Sequence, residues 1–503
     1  MPTVSRRRAT FATILGSGTN TAVVSLQAVV LIPLYLRLIG PQLYGAWLSS
    51  GDVLIWLQAF DLGLPNLLIQ RIGAAHGRGD RRTVAEYAAS GIAALAAVAI
   101  VMTAIGIALA FLLPAVFHVG GAAGAELTGA IQLGALGTGI IIFNNSIIGY
   151  ARAVQRTAFV NAVMVVSALS GFVISLAAVL RGAGLWSIPL GILTRALVSL
   201  VGNIVFMAAD LPPSDRRHFR IRGALIREMI HISPATALAG IGYALMNQSE
   251  AAIAGASLGP EAVLVLTMTK KAAEVGRSLL DVISYSAYGG FAHLVGSADR
   301  RRAPAVFGQI VALRWAAAVS IAAAYMAVNP SLVARWVGPR LYGGRYLTLV
   351  MAIQLIAVGH GYLINNLYRA CGPVLRGSVA LIVECVLRIP LMIVLLRWLG
   401  LVGLPLAAVI TSTVSAAVVL RWITRLMQAF ADRAPVVSKG VLAARALAFA
   451  VGAVLAATLY HPTWPFVVIT GCLVAAAAGL IQALVDPEIW RALRLRPRDL
   501  PDR

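Results

Sequence analysis

Apolar residues come in long runs along this chain, separated by short breaks that contain charged residues, glycine or proline. Each run has roughly 20 residues or more, the length that crosses about 30 Å of hydrocarbon as an α-helix. In lipid, a helix satisfies its backbone polar groups internally. The pattern predicts an all-α polytopic membrane protein of about 14 transmembrane helices, near residues 11–36, 44–70, 84–117, 128–151, 158–180, 185–209, 229–258, 262–291, 305–329, 346–370, 378–397, 403–421, 441–460 and 466–485.

One long window of the sequence occurs twice. Residues 40–82 and 259–301 both run from a Gly-Pro pair through an apolar span to Asp-Arg-Arg, at a constant offset of 219 residues. The repeat predicts two pseudo-symmetric six-helix lobes plus two C-terminal helices, and both lobes insert in the same orientation because six is even. The predicted division is an N-terminal lobe at 1–209, a cytoplasmic linker at 210–228, a C-terminal lobe at 229–421, the last two spans at 422–485 and a cytoplasmic tail at 486–503.

Composition agrees with lipid as the solvent, since 59% of residues are hydrophobic, 12% are charged and the mean hydropathy is +0.85. The net charge of +22 raises nucleic acid as a partner, but the arginines cluster in alternate breaks between the apolar runs. This positive-inside pattern places both termini in the cytoplasm and argues against a nucleic-acid partner. Low lysine and abundant alanine, arginine and glycine suggest GC-rich coding in a bacterium. The predicted location is the bacterial inner membrane.

The sequence contains no Gly-rich phosphate loop, nucleophile elbow or metal-ligand spacing. Its three cysteines, Cys371, Cys385 and Cys472, have no CxxC or histidine-spaced pattern, which favours small buried hydrophobic residues over a disulfide or a metal site. We therefore predict no enzyme activity, no catalytic residues, no metal and no cofactor, with proton or sodium coupling as an alternative.

Span eight carries five charged residues, where lipid-facing helices carry almost none. Each charge at mid-membrane costs about 2.5 to 3.5 kcal/mol, so these side chains are expected to face protein or an aqueous cavity. Lys271 lies just beside a polar stripe that covers about a third of the helix circumference and consists of Thr267, Lys270, Glu274, Arg277, Asp281, Ser284 and Tyr288.

Two interpretations of the polar stripe stay open. Lys270–Glu274 and Arg277–Asp281 are i, i+4 pairs of opposite sign, as in a structural ladder of ion pairs. The alternative is the lining of a transport site. Pairing leaves Lys271 over, and an unpaired cation suits an anionic group such as phosphate. The candidates for substrate binding are therefore Lys270, Lys271 and Arg277, together with Arg195 in span six and Arg314 in span nine, which either pair across helices or contact substrate.

Intramembrane carboxylates are the candidates for ion coupling or gating. Asp52 aligns with Lys271 in the repeat, and a salt bridge to Lys271 or Arg277 explains Asp52 as well as coupling does. Asp61 precedes a glycine that permits a kink or a close helix approach. The full set is Asp52 and Asp61 in span two, and Glu274 and Asp281 in span eight.

Spans ten and eleven contain further polar groups with simpler interpretations. Glu384 and Arg388 are predicted to form an i, i+4 ion pair. His360 is predicted to be a hydrogen-bonded helix contact and not a titrating switch, so conservative changes there should have little effect.

Short motifs resemble a known family. Two of them are similar to the signature of the polysaccharide transporter, or O-antigen flippase, family of the multidrug/oligosaccharidyl-lipid/polysaccharide exporter superfamily: Leu38-Ile39-Gly40-Pro41-Gln42-Leu43-Tyr44-Gly45 and Asp61-Leu62-Gly63-Leu64. A third resembles the Gly-Pro break that such proteins have between spans nine and ten: Gly338-Pro339-Arg340-Leu341-Tyr342-Gly343-Gly344. The resemblance implies a V-shaped pair of lobes with a cavity lined chiefly by spans one, two, seven and eight.

The function that this resemblance implies is that of a flippase. By alternating access it carries a polyprenyl-pyrophosphate-linked oligosaccharide from the cytoplasmic to the outer leaflet, for surface polysaccharide biosynthesis such as O-antigen or exopolysaccharide. Lys270, Lys271 and Arg277 would hold the pyrophosphate, while Glu274 and Asp281 lower the net charge there. The implied partners are the lipid-linked oligosaccharide, membrane lipids and polysaccharide polymerase or assembly proteins.

Other functions fit the sequence less well. A multidrug efflux antiporter of the same superfamily shares the fold, but hydrophobic cations call for an acidic and aromatic cavity. A polytopic polysaccharide polymerase or glycosyltransferase needs an extended outer loop with catalytic groups, and the longest outer break, near 329–345, contains no Asp, Glu or His. A non-transporting scaffold would carry five costly charges in one span without using them.

Overall fold

Helices are the regular elements throughout the part of the chain that the structure describes. The structure is a computed structural model, and it describes residues 23–24, 26–211, 216–232, 240–242, 244–246, 248–296, 300–428 and 438–494. Parts of the predicted first and seventh spans, of the linker at 210–228 and of the tail at 486–503 lie outside the described residues. The N-terminal and C-terminal ends, predicted to be cytoplasmic, also lie outside them.

Most of the helices fall on predicted apolar runs. Their bounds, in chain order, are α1 Leu26–Leu38, α2 Pro41–Ala59, α3 Leu64–Gly77, α4 Arg81–Ala110, α5 Gly121–Ala153, α6 Thr157–Leu180, α7 Ser187–Asp210, α8 Gly223–Ile232, α9 Glu250–Leu258, α10 Pro260–Gly296, α11 Ala303–Trp336, α12 Gly344–Ala370, α13 Val374–Leu399, α14 Gly403–Gln428, α15 Lys439–Thr458, α16 Trp464–Val485 and α17 Pro487–Arg494.

Ten segments among the described residues are long and apolar enough to cross a membrane. One of them, Val374–Gln428, has 55 residues and contains two of the predicted spans, α13 and α14, joined by a 3-10 turn. The charged helix α10 is not one of the ten, since its ionised side chains lower its mean hydropathy. The prediction of an all-helical polytopic membrane protein is confirmed, and the predicted number of about 14 spans is approximate.

The repeated sequence windows fold into segments of equal length. Pro41–Gly77 and Pro260–Gly296 both have 37 residues. Each starts after a glycine with a positive φ angle, 92° at Gly40 and 86° at Gly259, which a residue with a Cβ rarely adopts. The proline that follows suits the first helical turn because it has no N–H to leave unsatisfied.

The two copies differ in the middle. The first is broken between α2 and α3, where Leu62 and Gly63 are left-handed, with φ angles of 58° and 66°. Asp61 Oδ1 accepts a hydrogen bond from the Gly63 N–H at 2.8 Å and so closes the turn. The equivalent positions of the second copy carry no glycine, and α10 continues through them unbroken.

The chain divides into two compact units, residues 1–264 and 265–503. The core of unit 1 includes the fully buried Leu68, Leu95 and Ile142. In unit 2, α15 and α16 pack against α11, and a Cβ on Gly452 of α15 would lie 2.5 Å from the Ala323 Cα. The predicted lobe boundaries at 1–209 and 229–421 remain a prediction.

Gly45 and Gly51, both on α2, provide a matched test of the packing in unit 1. A Cβ on Gly45 would lie 2.2 Å from the Pro260 carbonyl oxygen, whereas a Cβ on Gly51 has no atom within 4 Å. We expect Gly45→Ala to destabilise the protein by about 1 to 3 kcal/mol, because backbone must move to admit the methyl group. Thermal unfolding of the purified protein measures the change.

Gly51→Ala is the control, and it should leave the unfolding temperature unchanged or slightly raised because alanine is the better helix former. Equal effects of the two substitutions would contradict the close approach of α2 to Pro260.

Candidate functional site

A cluster of three charged side chains lies on α10. Lys270 Nζ is 3.1 Å from Glu274 Oε1, and Lys271 Nζ is 3.1 Å from Glu274 Oε2. Positions three and four residues apart share one face of a helix, so a single carboxylate reaches both ammonium groups. The expectation that Lys271 is left without a partner is therefore wrong, because Glu274 is shared between the two lysines.

The next turns of α10 face α11. Arg314 Nη2 lies 3.8 Å from Asp281 Oδ1, and Arg314 Nε donates to Ser284 Oγ at 3.3 Å. The Arg314 side chain is only 1% exposed. For Arg314, the structure thus realises the first of the two predicted alternatives, pairing across helices.

Buried polar side chains hold α10 just before its two lysines. The Thr269 carbonyl oxygen accepts from Tyr325 Oη at 2.9 Å and from Asn329 Nδ2 at 3.2 Å. Thr269 Oγ1 accepts from the Gly343 N–H at 2.8 Å. Thr269, Asn329 and Tyr325 are all buried, so these bonds fix the helix position from which Lys270 and Lys271 extend.

Positive charge exceeds negative charge along the polar face that α10 forms with Arg314 of α11. The cations are Lys270, Lys271, Arg277 and Arg314, against the two carboxylates of Glu274 and Asp281. Lys271 and Glu274 keep about a third of their side-chain surface exposed, 32% and 31%. A partly exposed pair of this kind can exchange its internal salt bridge for a charged group of a substrate, and the excess cations favour an anionic one.

The other predicted site residues lie in unit 1. Asp52 on α2 is buried, and its Oδ2 accepts from the backbone N–H groups of Ala251 and Ala252 at 3.0 and 3.1 Å. Asp61 closes the turn between α2 and α3. Arg195 is partly buried on α7. Lys270, Lys271, Arg277 and Arg314 are within unit 2.

The predicted ion pair between Glu384 and Arg388 is confirmed on α13. Arg388 also donates to Thr411 Oγ1 at 3.0 Å and to Ser412 Oγ at 2.5 Å, both on α14. His360 packs against the Trp315 ring with centroids 5.1 Å apart, and its Nδ1 is buried without a hydrogen-bond partner among the described residues. The expected hydrogen bond of His360 is therefore not made at Nδ1.

Sequence reasoning missed the polar groups that support these sites. Asn329 Nδ2 donates to the Thr269 carbonyl oxygen on α10, to Tyr325 Oη and to Thr348 Oγ1 on α12. At the other site, Trp56 on α2 donates to the Gln248 carbonyl oxygen at 2.9 Å. Asparagine within an apolar span was an available signal, because a buried amide needs partners. Within the described ranges, no group of three His, Cys, Asp or Glu residues is placed to hold a metal ion.

Known protein families and curated proteins contain no match to this sequence. Solved structures do match. A mutant form of a MATE protein has a TM-score of 0.62 at 16% identity, covering 85% of this chain and 96% of the other.

Two structures that are each described as a multidrug resistance MATE family transporter of the MOP superfamily also match. The inward-facing one gives a TM-score of 0.61 at 14% identity, over 82% of this chain and 95% of that one. The outward-facing one gives 0.60 at 15% identity, over 84% and 96%. This protein is thus a polytopic helical membrane protein, and its fold is that of the MATE transporters.

Proposed function

We propose that this protein is a membrane transporter that moves its substrate by alternating access. The observation that carries the proposal is the likeness of the fold, over most of the chain, to transporter structures in an inward-facing and in an outward-facing conformation. The charged face of α10 supports it, because ionisable side chains in a membrane span are costly and usually lie along substrate or ion pathways.

Efflux of small molecules is the first candidate for the transported substrate, and the similar structures favour it over lipid-linked oligosaccharide. These structures are MATE proteins, and two of them are described as a multidrug resistance transporter. A hydrophobic cation would use Glu274 or Asp281 as its counter-ion, released from the lysines or arginines that now surround them.

Flipping of a lipid-linked oligosaccharide is the second candidate, and the charge balance favours it. The three cations of α10 and Arg314 of α11 exceed the two carboxylates of α10, as suits a pyrophosphate group that cannot cross hydrocarbon alone. The short motifs of the sequence resemble the same flippase family. In this function Lys270, Lys271 and Arg277 bind the pyrophosphate while the polyprenyl chain stays in lipid.

A deletion strain separates these functions. Loss of small-molecule efflux is expected to raise the accumulation of a cationic dye and to lower the concentration at which it is toxic. Loss of a flippase is expected to accumulate lipid-linked oligosaccharide in the cytoplasmic leaflet, measured by its accessibility to an added modifying enzyme. Each defect should be reversed by the wild-type gene.

As a control, the deletion strain receives either the wild-type gene or a Lys271→Glu, Arg277→Glu double variant. The two proteins must be present in the membrane in equal amount. If wild-type expression changes neither dye accumulation nor the leaflet distribution, both candidate substrates are excluded.

A further inference from the structure

The seventh predicted span, residues 229–258, is interrupted within its apolar run. Residues 244–246 are helical, Gln248 and Ser249 are not, and α9 begins at Glu250. A helix start leaves its first N–H groups without intrahelical acceptors. Inside a membrane such a break is tolerated only where protein or water satisfies those groups.

Asp52 satisfies them from a different helix. Its Oδ2 accepts from the N–H groups of Ala251 and Ala252, at 3.0 and 3.1 Å, in the first turn of α9. The side chain at the usual capping position, Ser249, donates to the Leu245 carbonyl oxygen and does not cap α9. The role of an N-cap residue is thus taken by a carboxylate 199 positions away in sequence.

Trp56 holds the other side of the same break. It lies one helical turn after Asp52 on α2, and its Nε1 donates to the Gln248 carbonyl oxygen at 2.9 Å. The α2 helix therefore offers an acceptor to the amides that follow the break and a donor to a carbonyl group within it.

Small residues bring α9 directly against α2. A Cβ on Gly255 would lie 2.2 Å from Ser49 Oγ, and a Cβ on Gly45 would lie 2.2 Å from the Pro260 carbonyl oxygen. Asp52, Ala251 and Ala252 are buried. α9 is thus docked on α2 at its start, in its middle and just beyond its end.

We propose that Asp52 is a positioning residue that keeps span seven broken and α9 docked on α2. In alternating access, which this inference takes from the proposed function, α9 then stays with α2 and the two helices move together. The role requires a hydrogen-bond acceptor at position 52, and it does not require a group that gains and loses a proton.

Asp52→Asn and Asp52→Ala test this role in the full-length protein in lipid nanodiscs. The measurement is amide hydrogen exchange across 248–258, which is made without substrate. Removing the acceptor with alanine should speed exchange at Ala251 and Ala252 by roughly tenfold, as expected for loss of a helix cap. Asparagine keeps a side-chain oxygen and should restore most of the protection.

Transport by the same variants, with whichever substrate the wild type moves, gives the second readout. Alanine should lower transport by roughly tenfold, and asparagine should stay within about threefold of wild type. The matched control is Asp80→Ala, because Asp80 caps α4 by accepting from the Thr83 N–H at 3.0 Å. It should speed exchange at the start of α4 and leave 248–258 unchanged.

Two results would overturn the inference. Unchanged exchange in Asp52→Ala would show that the carboxylate does not hold the start of α9. Loss of transport in Asp52→Asn, with protection retained, would make Asp52 a titrating coupling group. If neither candidate substrate is transported by the wild type, the proposed function fails while the exchange result still decides the role of Asp52.

Discussion

Reversing two charges on α10, Lys271→Glu together with Arg277→Glu, is expected to abolish transport while the protein still inserts in the membrane. The change turns a face with excess positive charge into one with excess negative charge, next to Glu274 and Asp281. Each intramembrane charge costs about 2.5 to 3.5 kcal/mol unless it is paired, so the altered face can neither keep its ion pairs nor bind the same substrate. Transport into vesicles measures the loss.

Neutral single substitutions show which sign of substrate the α10 face binds. Lys271→Gln leaves the contact between Lys270 Nζ and Glu274 Oε1 in place and removes one positive charge. Glu274→Gln removes the carboxylate that both lysines share. If the substrate is an anion, Lys271→Gln should lose more transport than Glu274→Gln. If it is a hydrophobic cation, Glu274→Gln should lose more.

Normal transport by a well-inserted Lys271→Glu, Arg277→Glu double variant would contradict a transport role for the charged face of α10.

Replacing Glu384 by alanine is expected to destabilise the protein by about 3 to 5 kcal/mol, because it leaves a buried guanidinium group without its carboxylate. The Arg388 side chain is 1% exposed and that of Glu384 is 5% exposed. Ser412 Oγ on α14 donates to Glu384 Oε1 at 2.6 Å, so the substitution also removes the acceptor of this hydroxyl group. The unfolding temperature and the yield of folded protein from membranes report the effect.

Glu488→Ala is the matched control for this ion pair. Glu488 pairs with Arg491 on α17, where the arginine side chain is 63% exposed, and an exposed ion pair contributes about 0 to 1 kcal/mol. A double variant, Glu384→Leu with Arg388→Met, should recover much of the lost stability because it removes both buried charges. Equal stability of Glu384→Ala and Glu488→Ala would contradict the burial of the α13 ion pair.

Features set by neighbours in the sequence were predictable. The repeated Gly-Pro pairs start helices at equivalent positions because glycine and proline act on the backbone locally. Gly63, two residues after Asp61, permits a kink or a close helix approach, and the helix breaks at this position. The i, i+4 pairs of Lys270 with Glu274 and of Glu384 with Arg388 also follow from the geometry of a single helix.

Side-chain partners were harder to predict. Counting only i, i+4 pairs leaves Lys271 over, yet Glu274, three residues along the same helix, reaches both lysines. Asp281 faces Arg314 on a neighbouring helix, although no acidic residue lies within four positions of Arg314 in the sequence. The partners of Lys271 and Arg314 depend on the direction in which each side chain points. The hydrophobic periodicity of the sequence shows only which face of a helix is polar.

The sequence by itself determined the solvent, the helical spans, the internal repeat and the presence of an ionised face on span eight, because apolar length and charge density limit what a membrane accepts. Only the tertiary structure decided how the polar groups are satisfied. Asp52 caps a helix 199 residues away, and Asn329 and Tyr325 hold the Thr269 carbonyl group. These partners are chosen by the packing of helices that are distant in sequence, and no local pattern encodes that choice.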